Sequence, residues 1–122
     1  MQYLCLIHID PDVLDAMPAP ELDALNEAHL DLNDALRASG QLVAAEALQR
    51  RERARTVRLR NGRATITDGP FAETKELIAG FYLLEAESFD EACEIAARIP
   101  SAPIASIEVR EIMKLVVGDR TS

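Results

Sequence analysis

Two short stretches of this chain are apolar on both faces, and that fact restricts the fold more than any other. Gln2–Ile9 alternates Tyr3, Cys5, Ile7 and Ile9 with Leu4, Leu6 and His8, and Gly80–Ala86 sets Phe81 and Leu83 against Tyr82 and Leu84. A strand that is apolar on both sides has to be covered above and below, so both stretches read as central strands of a sheet. Two helical stripes are available to cover them. Leu22, Leu25, His29, Leu32 and Leu36 fall at 3-4-3-4 spacing in a helix that starts near Pro20 and stops at Gly40,. Ser88 and Glu91 form a capping box for a second helix running through Ala92, Cys93, Ile95, Ala96 and Ile99 to Pro100,. Two helices cover one face only. A second copy of the chain is the economical cover for the other, since two-fold homodimers dominate soluble oligomers. Leu4, Leu6, Tyr82 and Leu84 are grouped here as one sheet face.

The remaining segments fit around that sheet. Asp10-Pro11 opens a loop that runs through Met17-Pro18-Ala19-Pro20, and Leu42–Leu48 reads as a further strand. Thr56–Arg60 and Arg63–Thr67 flank Asn61-Gly62, the strongest short hairpin signal, because both turn residues must accept positive φ,. Alternation from Ile107 to Lys114 gives the last strand, and 118–122 reads as a frayed tail,. The order β-α-β, hairpin, β-α-β predicts an α+β, ferredoxin-like domain over residues 1–122 with the hairpin of 55–67 inserted between its halves.

Charge and composition narrow the partners. The net charge of −8 argues against nucleic acid, yet residues 46–63 carry +5 through seven arginines, leaving −13 on the rest,. That imbalance suits a small anion or an acidic partner, or is a solvated hairpin surface. No apolar run is long enough to span a bilayer, and the sequence enters a strand pattern at once, without a signal-peptide pattern. Cys5 and Cys93 lie in apolar stretches and read as reduced core residues, which makes a cytoplasmic location the default,.

Between the hairpin and the second central strand lies Thr67-Asp68-Gly69-Pro70-Phe71-Ala72-Glu73-Thr74-Lys75-Glu76. Gly69 permits a conformation that Pro70 helps to select, Asp68 can close an Asx-turn, and Phe71 reads as an apolar anchor. The run Asp68-Gly69-Pro70-Phe71 followed by Ala72–Glu76 resembles the signature of the DGPF family within the YCII-related group. The resemblance implies a dimeric α+β barrel with a cleft in each subunit. Relatives carry a histidine on the first helix, here His29 followed by Leu30, that has been considered catalytic beside an aspartate.

The chemistry available without a cofactor is acid–base. His29 with Asp68 or Asp10 is the best constellation, because an imidazole held by a carboxylate exchanges protons near neutral pH. Against this stands the reading of His29 as a hydrogen-bonded core residue. Arg58, Arg60, His8 and Phe71 are the expected ligand-binding groups, the arginines holding an anion or stabilising an enolate. His8-x-Asp10 offers two metal ligands where at least three are needed, so no metal is expected. By analogy with barrel relatives, the leading expectation is proton-transfer chemistry, of isomerase or lyase type, on a small organic acid or aromatic. The competing one is a non-catalytic dimer that binds a small ligand or a regulatory protein. Genes of such relatives often neighbour those of alternative sigma factors.

Overall fold

A computed structural model describes all residues, 1–122, and the chain can be followed from strand β1 (Gln2–Ile9). Asp10 caps a short helix, α1 (Pro11–Asp15), by accepting a hydrogen bond from the Asp12 N–H at 2.9 Å. The patterning predicts an open loop here. The Asp-Pro pair makes a helix start instead, because Asp is a strong N-cap and Pro suits the first turn. Helix α2 (Ala19–Ala38) ends as expected at Gly40, where φ is +77° and the Gln41 N–H reaches back to the Leu36 carbonyl at 2.8 Å. Strand β2 (Leu42–Ala47) and a 3₁₀ turn at Arg51–Arg53 lead into a hairpin arm, β3 (Arg55–Arg60) and β4 (Arg63–Asp68). Asn61 and Gly62 take φ of 52° and 74°, which is the tight turn their dipeptide predicts,.

The second half runs through β5 (Leu77–Glu85), α3 (Phe89–Ala96) and β6 (Ser106–Glu111). The Ser88 hydroxyl accepts from the Glu91 N–H at 3.1 Å, so the capping box forms as read,. Two short strands close the chain, β7 (Val116–Val117) and β8 (Arg120–Thr121), paired antiparallel. The 118–122 stretch therefore supplies a turn and a strand where a frayed tail is expected.

Four strands form one antiparallel sheet in the order β2-β5-β1-β6, with α2 and α3 packed on one side through Leu36, Ile95 and Ala96. This is the ferredoxin-like α+β arrangement. Cross-strand register shows which residues share a face, and it corrects one grouping. Leu4 pairs with Leu83 and Cys5 with Tyr82, so Tyr82 and Leu84 lie on the same side as Tyr3, Cys5 and Ile7. That side is the helix side. Tyr3, Cys5, Ile9, Leu36, Leu84 and Ile99 are its largest fully buried side chains, and burying one such Leu contributes about 1.5–3 kcal/mol,. Alternation names the two sets within each strand but not how two strands align, and only the register fixes that. The opposite side carries Leu4, Leu6, Phe81 and Leu83, all partly exposed, with Ile78 at 42%.

Cys5 is a core residue whose thiol is pushed up to about 11, mainly by burial, whereas Cys93, expected beside it in the core, is exposed. The arm stands as a separate two-stranded sheet. Its cross-strand pair Val57 and Ile66 and the neighbouring Leu59 are all about two-thirds exposed, at 64%, 65% and 64%. Isolated two-stranded hairpins are marginal in water, so its base is where it gains support. There the Gly69 N–H donates to the Ala54 carbonyl at 2.8 Å and the Thr56 hydroxyl donates to the Gly69 carbonyl at 3.0 Å. Gly69 itself has φ +97°, a conformation that side chains other than glycine rarely adopt,.

Candidate functional site

The strongest site lies between α2 and the helix-facing side of the sheet. His29 projects from α2 and Tyr82 from β5, and the His29 Nδ1 and Tyr82 hydroxyl are 2.7 Å apart. Their rings are tilted 33° with centroids 6.0 Å apart, so the contact is an in-line hydrogen bond and not a stack. The other ring nitrogen of His29 makes no hydrogen bond within the chain. Burial lowers the His29 pKa from its ordinary 6.5 and pushes the Tyr82 phenol up to about 12. Both effects favour the uncharged forms, an imidazole beside a phenol.

The pair lines a cavity of about 570 Å³ whose walls are mostly apolar, including Leu22, Leu25, Leu77 and Ala79. Five further polar or charged residues line it: Asn26 and Asn33 from α2, Glu46 from β2, Arg50, and Ser101 from the loop after α3. The Asn33 Oδ1 and the Ser101 Oγ are buried and have no hydrogen-bond partner, and Ser101 is only 4% exposed. Buried polar groups are nearly always satisfied, so two unpartnered oxygens on residues that line one cavity beside a histidine set this place apart,. Gly80 shapes the same cavity. A Cβ there would lie 2.7 Å from the Glu46 carbonyl oxygen, so glycine lets β2 approach β5.

A second cleft, wider and basic, opens on the far side of β1. It is lined by His8, Asp10, Arg50, Arg51, Arg53, Phe71 and Lys75, among others, and encloses about 1220 Å³. Of the groups expected from sequence, His8, Asp10 and Phe71 meet here. His8 Nε2 lies 2.9 Å from the Glu108 carboxylate, and Asp10, besides capping α1, stands 4.0 Å from the Lys75 ammonium. No group of three or more His, Cys, Asp or Glu side chains gathers at His8 and Asp10.

The structure does not bring His29 to either expected carboxylate. Asp68 ends β4 with its side chain 93% exposed and 3.6 Å from the Arg55 guanidinium, and Asp10 belongs to the basic cleft. The partner of His29 is Tyr82. Phe71, expected as an anchor, is 79% exposed, with the Arg58 guanidinium 5.6 Å above its ring. Arg58 and Arg60 lie on the arm and line neither cavity, and Arg60 turns back onto the Leu59 carbonyl. The arginines that line the cleft, Arg50, Arg51 and Arg53, come from the 3₁₀ turn and the residue before it instead.

Sequence reasoning missed Tyr82, Asn33 and Ser101. Asn33 is four residues after His29 on α2, one turn along the same face, and that spacing was the available signal,. Tyr82 and Ser101 come from elements whose register no pattern reveals.

Comparisons with known proteins agree with this architecture. The model of the YCII-related domain matches residues 1–116. An uncharacterised protein of Rhizobium meliloti (strain 1021) is 41% identical over 71 residues, a match that spans 57% of this chain and 57% of that protein. Among solved structures, the fold resembles 5-chloro-2-hydroxyhydroquinone dehydrochlorinase from Burkholderia phenoliruptrix AC1100, in complex with 2,5-dihydroxybenzoquinone. That likeness has a TM-score of 0.57 at 19% identity and covers 93% of this chain and 94% of the other.

Proposed function

This chain belongs to the YCII-related domain family, and from that premise we infer that it is a cofactor-independent acid–base enzyme acting on a small cyclic molecule. The observation that carries this reading is the His29–Tyr82 hydrogen bond at 2.7 Å in an apolar cavity that also holds two unpartnered polar groups. His29 is the base. With its Nδ1–H donated to the Tyr82 oxygen, Nε2 keeps a free lone pair able to take a proton from carbon or oxygen of the substrate. The imidazolium so formed retains its bond to Tyr82 and returns the proton at another atom, which is isomerisation, or delivers it to a leaving group, which is elimination. Asn33 and Ser101 orient substrate hydroxyl or carbonyl groups, since binding satisfies them. The fold neighbour, solved in complex with 2,5-dihydroxybenzoquinone, supports the class of ligand, a small oxygenated ring.

Proton exchange tests this without knowledge of the natural substrate. Incubated in D₂O with a panel of cyclic ketones and hydroxyquinones, the protein should speed loss of a carbon-bound proton signal in the NMR spectrum. The His29→Gln variant should lose that activity. Exchange no faster than the buffer rate for the whole panel, with ligands bound, would favour a non-catalytic ligand-binding module.

The bare face of the sheet supports a homodimer. Leu4, Leu6, Phe81 and Leu83 would be covered by the same face of a second copy, an isologous contact,. Light scattering at micromolar concentration should give twice the chain mass, and a monomer would contradict it.

A further inference from the structure

The two cavities are not independent. Leu48, Arg50 and Leu77 line both, so these three side chains form the partition between the basic cleft and the His29–Tyr82 cavity. Arg50 is the only charged member of that partition. Its guanidinium already grips a carboxylate, that of Asp15 at the end of α1, at 2.7 Å, and its side chain is 41% exposed. Behind it, Arg51 donates to the Thr74 carbonyl, Arg53 has no ion pair, and Lys75 is 86% exposed. Asp10 and Glu76 are the acids in the cleft lining, against three arginines and a lysine. A chain of net charge −8 thus presents a local excess of positive charge at the entrance to its buried site. Such a cleft draws anions against the overall field.

We propose that the basic cleft is the anion-binding vestibule of the His29–Tyr82 cavity, and that Arg50 holds the carboxylate of a small ring acid whose ring enters the cavity. This rests on the functional reading above and names its substrate class. A guanidinium fork matches a carboxylate better than an ammonium does, and Asp15 shows that a carboxylate fits at this position. The mostly apolar lining beyond Arg50, in which Glu46 is the one acid, then receives the ring, with Asn33 and Ser101 beside its hydroxyl groups. Substrate binding exchanges Asp15 for the ligand on Arg50, so the Arg50–Asp15 pair is a placeholder and not a structural tie.

The test uses a matched pair of probes, 2,5-dihydroxybenzoate and hydroquinone, which differ only in the carboxylate. Binding is followed by the His29 ring signals in NMR spectra of the whole protein. At low salt the acid should bind at least about ten-fold more tightly than hydroquinone, and salt should erode that preference. Arg50→Gln should abolish the preference, so that the acid and hydroquinone bind with similar affinity. Asp15→Asn breaks the same ion pair but keeps the guanidinium free, and it should preserve or strengthen acid binding. A preference that survives in Arg50→Gln, or is lost equally in Asp15→Asn, overturns the proposal while the cavity reading stands. If neither probe moves the His29 signals, both the vestibule and the proposed site are wrong.

Discussion

Leu83 and Leu84 are adjacent, chemically identical and on the same strand, yet they have different surroundings. Leu84 is fully buried under the helices beside Cys5 and Ile95, while Leu83 faces the uncovered side with Leu4. The covered face holds a core and, at its edge, a cavity with a histidine and a tyrosine. The bare face carries Leu4, Leu6, Phe81 and Leu83, with His8 and Ile78 at its end bordering the basic cleft. The difference teaches that two kinds of burial are at work in this sheet. One is completed inside the chain, and the other, on the homodimer proposed above, is completed by a second copy.

Substitution should separate them most sharply at this pair. Leu84→Ala should cost about 2–5 kcal/mol, because it removes a core side chain and leaves a cavity that β5 and α3 cannot close. Leu83→Ala should cost far less in dilute monomer and instead weaken self-association, making its effect dependent on protein concentration. Urea denaturation of both variants at two concentrations checks this. Equal, concentration-independent losses would erase the distinction between the faces.

Gly80→Ala comes next, at about 1–3 kcal/mol, since the new methyl would drive into the Glu46 carbonyl and push β2 off β5,. Thermal denaturation reads it directly. The comparison with Leu83 is useful here, because a change of one methyl group at an interior crossing should outweigh loss of a larger group from the bare face.

Tyr82→Phe keeps the ring and removes only the hydroxyl. The expected loss is about 1 kcal/mol from the hydrogen bond to His29, measurable by urea unfolding. Proton exchange should slow in the same variant, which a role limited to packing would not produce.

The pH dependence of stability is a smaller effect with a definite sign. Burial holds the folded-state pKa of His29 below its ordinary 6.5, so the unfolded chain takes up this proton first,. Stability should therefore fall as pH drops from 6.5 toward the folded value, then level off once both states are protonated. Replacing His29 by Gln should flatten that part of the profile. A stability that instead rises on acidification through this window would mean that the imidazolium is favoured in the fold.

Much of the frame was legible from local chemistry. The double-sided strands, the Asn61-Gly62 turn, the Ser88 cap and the Gly40 stop depend on neighbours in sequence, and each forms. His29 also stood out as the one polar member of a Leu seam. What could not be read was anything set by register or by a turn's direction. His29 had no sequence-visible route to Tyr82, 53 positions away, and two aspartates near turns were more conspicuous partners. The arginines that line the cleft were hidden among seven, because the 3₁₀ turn at Arg51–Arg53 decides which of them face inward. Asp10 showed its signal openly, as a cap before Pro11, but its role there is local.

The central claim is that His29 is an uncharged base held by Tyr82, and nitrogen-detected NMR titration of its ring tests that most directly. The account predicts a midpoint below 6.5, with the neutral ring carrying its proton on Nδ1, toward the Tyr82 oxygen, and Nε2 bare. A midpoint at or above 6.5, or a neutral ring protonated on Nε2, would contradict it.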